Sequence, residues 1–364
     1  MNKSISSAIP ATNTPRKSEF HIPSLDGIRT VAILLVFVSH TAYGHYVPGG
    51  LGVTIFFFLS GYLITTLLRK EYIKNNSIDI RHFYLRRFFR IWPNFYFVLL
   101  ITTVLTIYKI LPGDIQLMPF LAQILHYTNY YTAFYGPGGT AIGTGSYWSL
   151  AVEEHYYLLF PFIYISMLKL NLSAKVQALV FLFICLVILA WRYYLVNYVG
   201  VDMLRTYTTS DTRFDSLLFG CILAVYKNPV LDDISRHDFK LKYILLPLGI
   251  LLLIVSLVFR GESFRETFRY TLQCIALFPI FISAIRFYDW GFFKLLNYKA
   301  VSFFGVLSYS FYLEHYAILG YFKHETNLPP YLAAVLGFGL AWLLAYLMHI
   351  GIEKPFNRLR KRFI

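Results

Sequence analysis

The sequence predicts an all-α, polytopic membrane protein with about ten transmembrane helices and both termini in the cytoplasm. Three observations predict it. Hydrophobic residues make up 57% of the 364 and charged residues only 14%, against roughly 45–50% and 25% in soluble domains. The apolar residues fall in runs close to the 20 or so that a helix needs to cross a bilayer. The Lys and Arg that interrupt those runs collect on alternate sides of them.

Residues 1–23 are rich in Ser, Thr, Asn and Pro and contain no apolar stretch. They read as a disordered cytoplasmic tail with no cleaved signal. A transmembrane domain is expected over 24–356 and a basic cytoplasmic tail over 357–364. Within the domain, spans are expected near 28–46, 51–68, 91–110, 148–168, 176–196, 213–227, 242–259, 268–287, 304–322 and 331–350. With the N-terminus inside, the inner segments carry 24 Lys and Arg and the outer ones 8, which sets the orientation by the positive-inside rule. The same bias accounts for the net charge of +14. Membrane lipids are the partners it calls for, and nucleic acid is not expected. Trp92, Trp148 and Trp290 fall at span ends, where interfacial Trp is favoured. Cys185, Cys221 and Cys274 lie far apart in apolar runs. They read as small core residues, and no metal site is expected.

The longest outer loop, 111–147, carries GPGGTAIGTG at Gly136–Gly145. No Lys-Ser or Lys-Thr follows, so it is not a phosphate-binding loop of the nucleotide type. It reads as a flexible connection or as the lining of an acceptor site.

Four polar groups interrupt the apolar runs. Arg29 and His40 are 11 residues apart, about three helical turns and about 16 Å, so they share a face. Arg29 sits at the inner edge, where it can snorkel. His40 lies near mid-membrane, as a neutral histidine bonded to Ser39 or a tyrosine, or as a general base. Arg86, Arg87 and Arg90 in FYLRRFFRIWP are spaced i, i+3 and i, i+4 and cluster. They need anions, either lipid headgroups or a phosphorylated cofactor that guanidinium grips bidentately. In SYWSLAVEEHYYLLFP, Ser149, Glu153 and Tyr156 or Tyr157 share a face, for a structural hydrogen bond or toward a cavity; Glu154 and His155 adjoin. Arg213 and Asp215, in SDTRFDSLLFG, stand at an outer helix start that Asp211 can cap. They form a surface ion pair or hold an acceptor. His315 is another titratable group within a span, and Glu353 is expected at the inner interface.

Taken together, these segments resemble the acyltransferase-3 family of integral-membrane O-acyltransferases, from about Leu25 to Pro355. The family's Arg, ten residues, His pattern is matched by Arg29 and His40. GVTIFFFLSGY at Gly52–Tyr62 is similar to its second-span motif. Arg86 to Pro93 matches its R-R-x-x-R-I-x-P, Trp148 to Tyr157 its W-S-L-x-V-E-E-x-F-Y, and Ser308 to His315 approximates S-Y-x-x-Y-L-x-H. Thr54 stands where the family often has Asp, and Glu314 where an aromatic is common.

The resemblance implies transfer of an acyl group, usually acetyl, from cytoplasmic acyl-CoA to a hydroxyl of a cell-surface or lipid-linked carbohydrate in a bacterial inner membrane. It implies catalysis at His40 and donor binding at Arg86, Arg87 and Arg90; Arg29 or a water is expected to orient His40. Acceptor contacts are expected from Ser149, Glu153, Arg213, Asp215 and His315. No hydrolase-like domain is expected after the last span, so a second transfer step would fall to another protein. The alternative is a transporter or flippase of a lipid-linked sugar, against which the absence of clear internal symmetry weighs.

Overall fold

The computed structural model describes residues 22–363. The expected tail, 1–23, lies outside the described residues except for Ile22 and Pro23. The chain begins with α1 (Leu25–Ser39), α2 (Gly49–Asn75) and α3 (Ile80–Ile107). The short α4 (Leu117–Ile124) and α5 (Thr128–Tyr135) precede α6 (Trp148–Lys169), α7 (Ala174–Tyr194), the short α8 (Met203–Thr208) and α9 (Ser210–Val225). Then come a single turn, α10 (Asp238–Lys240), α11 (Leu246–Val258), the short α12 (Glu262–Glu266) and α13 (Phe268–Arg286). The short α14 (Phe293–Leu296), α15 (Lys299–Glu325), α16 (Pro330–Met348) and α17 (Lys354–Arg360) complete it. Among the described residues there is no strand, only one isolated bridge between Gly113 and Ala141.

A helix occupies each of the ten segments read as spans. Six are long and apolar enough to cross a membrane: Gly49–Asn75, Ile80–Ile107, Ala174–Val199, Ser235–Val258, Phe268–Arg286 and Pro330–Arg360. The other four differ for physical reasons. The first and sixth, α1 and α9, have only 15 and 16 residues. Polar residues interrupt α6 and α15, including Glu153, Glu154 and Glu314. α6 and α15 carry part of the candidate site, and their polar residues follow from that.

The core forms where α2 meets α9 and α1 meets α15. The α2–α9 crossing rests on glycine. A Cβ at Gly61 would meet the Leu217 carbonyl oxygen at 1.9 Å, and one at Gly220 the Phe58 carbonyl oxygen at 2.0 Å. Small residues at membrane helix crossings allow this approach. The glycine-rich loop is likewise held at one point. Gly143 takes φ +81°, and a Cβ there would meet the Ala317 nitrogen of α15 at 2.1 Å. The loop is therefore a folded cap built on α4 and α5. Asn129 of α5 donates to the Ser210 hydroxyl at 3.0 Å, and the Tyr130 hydroxyl meets Asp211 at 3.2 Å.

Candidate active site

α1 begins at the arginine-rich end of the molecule and stops at Ser39. His40 is its C-cap, with φ −93° and ψ −4°, so it leaves the helix end rather than a mid-helix face. Its partner is neither Ser39 nor a tyrosine hydroxyl. His40 Nδ1 lies 2.9 Å from His315 Nε2, and the His40 ring stacks on Tyr316 at 4.2 Å with 14° between planes. His315 is wholly buried, and its Nδ1 lies 2.8 Å from the Tyr312 carbonyl oxygen.

These two distances set the tautomers. A carbonyl oxygen only accepts, so His315 Nδ1 carries a proton and donates it. With both rings neutral, His315 Nε2 then holds a lone pair, and His40 Nδ1 must donate to it. The His40 lone pair falls on Nε2. A second group that fixes the tautomer of a histidine is the usual way a base is oriented.

Arg29 is not that second group. It pairs with Asp26, one turn before it on α1, and it lines a cavity of about 100 Å³ together with Arg87 and Arg90 of α3. Ser60, Ser149, Glu153, Tyr157 and Tyr312 line the same cavity. Glu153 accepts from the Ser60 hydroxyl at 2.6 Å and the Tyr157 hydroxyl at 3.1 Å. The expected shared face of α6 is therefore real, with Tyr157 as its aromatic member. Ser149 Oγ lies 2.6 Å from the Tyr312 hydroxyl, which also donates to the Ser146 carbonyl at 2.9 Å. Arg87 Nε is buried without a hydrogen-bond partner. Tyr312 thus joins the two halves: its ring lines the arginine cavity, and its backbone holds His315.

Arg86 stands apart from this cavity. It pairs with Glu71 of α2 at 2.9 Å, so only two of the three clustered arginines face inward.

Arg213 and Asp215 are likewise not a surface pair. Both are wholly buried. Asp215 pairs with Arg192 at 2.7 Å. Arg192 also donates to the Thr212 carbonyl at 2.6 Å, the Thr271 hydroxyl at 2.7 Å and the Thr267 carbonyl at 3.2 Å. Arg213 sits 4.0 Å from the Tyr270 ring and 5.5–5.9 Å from those of Tyr207, Phe57 and Trp148. Its Nη2 donates to Thr54 at 3.2 Å. Asp211 bonds Arg205 and Trp191, at 2.6 and 2.8 Å; Thr209 is the residue preceding α9. Glu353 is tied inward, accepting from Ser310 at 2.6 Å and Asn94 at 2.9 Å and meeting His349 at 2.6 Å. The sequence reading missed Arg192. Its only signal was a guanidinium adjoining the apolar run of α7, which looked like an interfacial charge.

A family model described as an acyltransferase domain matches residues 22–350. The chain belongs to this family. Among curated proteins it is 29% identical over 361 residues to "Peptidoglycan O-acetyltransferase OatA" of Listeria monocytogenes, covering 95% of this chain and 57% of that protein. It is 30% identical to "O-acetyltransferase OatA" of Staphylococcus aureus, over 93% of this chain and 57% of the relative. It is also 30% identical to "Putative peptidoglycan O-acetyltransferase YrhL" of Bacillus subtilis, over 93% and 56%. The chain thus spans somewhat over half the length of the curated relatives it matches. No solved structure matches it. The chain is an acyltransferase domain, and the transporter reading draws no support from these relatives. Among the described residues no cluster of His, Cys, Asp and Glu could hold a metal ion.

Proposed function

We propose that this chain is a bacterial plasma-membrane O-acetyltransferase that moves an acetyl group from cytoplasmic acyl-CoA to a hydroxyl of a cell-wall carbohydrate. It would cross the membrane about ten times with both termini inside, so that Arg29, Arg87 and Arg90 face the cytoplasm. The relatives' names support the acetyl group and the carbohydrate class. The single observation that carries the mechanism is the hydrogen-bonded chain from the Tyr312 carbonyl through His315 to His40.

Acyl-CoA fits the arginine cavity on the chemistry of its lining. Guanidiniums bind phosphate bidentately, three of them line this cavity, and Arg87 Nε is buried with its hydrogen-bonding capacity unused. The donor supplies an acyl group activated as a thioester. Arg87, Arg90 and Arg29 hold phosphate at the mouth, while Arg86, set against Glu71, adds field at the surface. Ser149 and Tyr312 line the far end, and Glu153, fixed by two hydroxyls, shapes the wall between. His40 Nε2 takes the proton from the acceptor hydroxyl as its oxygen attacks the acyl carbon, and returns it to the departing sulfur. His315 keeps that nitrogen unprotonated at rest and shares the charge when His40 becomes cationic. Arg213 and Asp215 act at the outer end, where they hold the helix starts that border the acceptor side.

The test is transfer of radiolabelled acetyl from acetyl-CoA to a membrane glycan fraction by the purified protein. His40→Ala should lower it by about 10²-fold or more, the usual contribution of a general base. Equal transfer by both proteins overturns the assignment. His315→Ala should lower the rate and shift its pH profile, because His40 would then populate both tautomers.

A further inference from the structure

A second cavity, between α3, α15 and α16, plays no part in the proposed transfer. Its volume is about 570 Å³, against about 100 Å³ for the arginine cavity. It follows α3 from Phe97 to Leu105, a path of about 12 Å at the helical rise, and continues past the helix end to Ile110 and Leu111. Aliphatic side chains such as Ile101, Ile318 and Leu344 make its walls. One carboxylate interrupts them. Glu314 lines the slot, is only 7% exposed, and has Oε1 buried with no hydrogen-bond partner. A buried polar atom in apolar surroundings is unfavourable unless something bonds it. An occupant of the slot is the available source.

We propose that the slot is a binding site for a long-chain amphiphile, with one extended hydrocarbon tail along α3 and a terminal hydroxyl hydrogen-bonded to Glu314. The tail matches the aliphatic walls, and the hydroxyl supplies a partner for Glu314 Oε1. Glu314 and His315 are consecutive on α15, so an occupied slot braces the helix that carries His315. This site is independent of the transfer reading, and its test reads binding alone.

The full chain in phosphatidylglycerol vesicles is photolysed with a diazirine-bearing hexadecanol, and the labelled peptides are mapped by mass spectrometry. Label should concentrate on 97–111, 314–321 and 340–352, and excess unlabelled hexadecanol should compete it away. Gly351 lines the slot, and a Cβ there meets nothing within 4 Å, so Gly351→Phe should block labelling with little cost to the fold. Glu314→Leu should raise the competing concentration about tenfold, equivalent to about 1.4 kcal/mol. Glu314→Gln, which keeps an acceptor, should stay close to the parent. Label that does not saturate, or that matches the lipid-exposed side chains Phe183 and Leu186 of α7, overturns the proposal. So does label that survives both Gly351→Phe and Glu314→Leu.

Discussion

Two sets of arginines, at opposite ends of the helices, solve the same problem differently. Arg192 and Arg213 are wholly buried and enclosed by the protein itself: Arg192 by a carboxylate, two carbonyls and a hydroxyl, and Arg213 by aromatic faces and one threonine, its Nε and Nη1 making no hydrogen bond. Arg87 and Arg90 line a cavity instead, and Arg87 keeps an unused donor. A buried guanidinium closed in by the chain holds the fold, whether acceptors meet its donors, as at Arg192, or aromatic faces surround it, as at Arg213. One that lines a space with a donor to spare is suited to an anion from outside. Charge and position in the sequence look alike in the two cases, and only the partners separate them.

Removing Asp215 should have the largest effect. It would leave Arg192 charged and without its counter-ion in a fully buried setting, which typically costs about 3–5 kcal/mol. Asp215→Ala should therefore fail to accumulate, or should melt far below the parent in detergent. A melting temperature close to the parent's would mean that Arg192 is satisfied by its carbonyls alone, and the contrast between the two ends would collapse.

The cavity arginines should behave in the opposite way. Arg87→Ala should leave melting nearly unchanged and weaken acyl-CoA binding by roughly 1.5–3 kcal/mol, the range for a hydrogen bond to a charged group. Arg86→Ala breaks a partly exposed pair with Glu71, worth about 0–1 kcal/mol, and should weaken donor binding less than Arg87→Ala. Titration with acyl-CoA measures both. Equal losses would make the cluster a diffuse electrostatic patch.

The helical framework was legible from hydropathy because bilayer length and apolar composition act locally. Each of the ten expected segments carries a helix. The site was legible only in its residue types. His40 and His315 are 275 positions apart, and no periodicity links them. The end of α1 at Ser39 hid the geometry further, since an ideal helix through His40 points its ring along the face of Arg29. The mistaken pairing of Arg213 with Asp215 has a similar cause. Residues i and i+2 on a helix point to different sides, and the carboxylate found its cation on α7 instead. Glu71, which takes Arg86 away from its neighbours, sits 15 residues earlier on another helix.

The smallest expected effect concerns how the cavity arginines are presented. α3 starts at Asp79, whose carboxylate accepts the His82 backbone N–H at 2.8 Å and meets His82 Nδ1 at 2.8 Å. The first of these bonds is the main reason its carboxyl is held below the usual range. A carboxyl lowered by folding adds stability above its unfolded pKa and loses it as pH falls through the folded value. Acidification should therefore fray the first turn of α3, seen as faster amide hydrogen exchange at 80–83, before it disturbs Arg86, Arg87 or Arg90 further along. Asp79→Asn keeps a capping oxygen but does not titrate, and should remove the pH dependence while preserving the helix start. Fraying at low pH in that variant as well would mean that the start of α3 is not set by its cap.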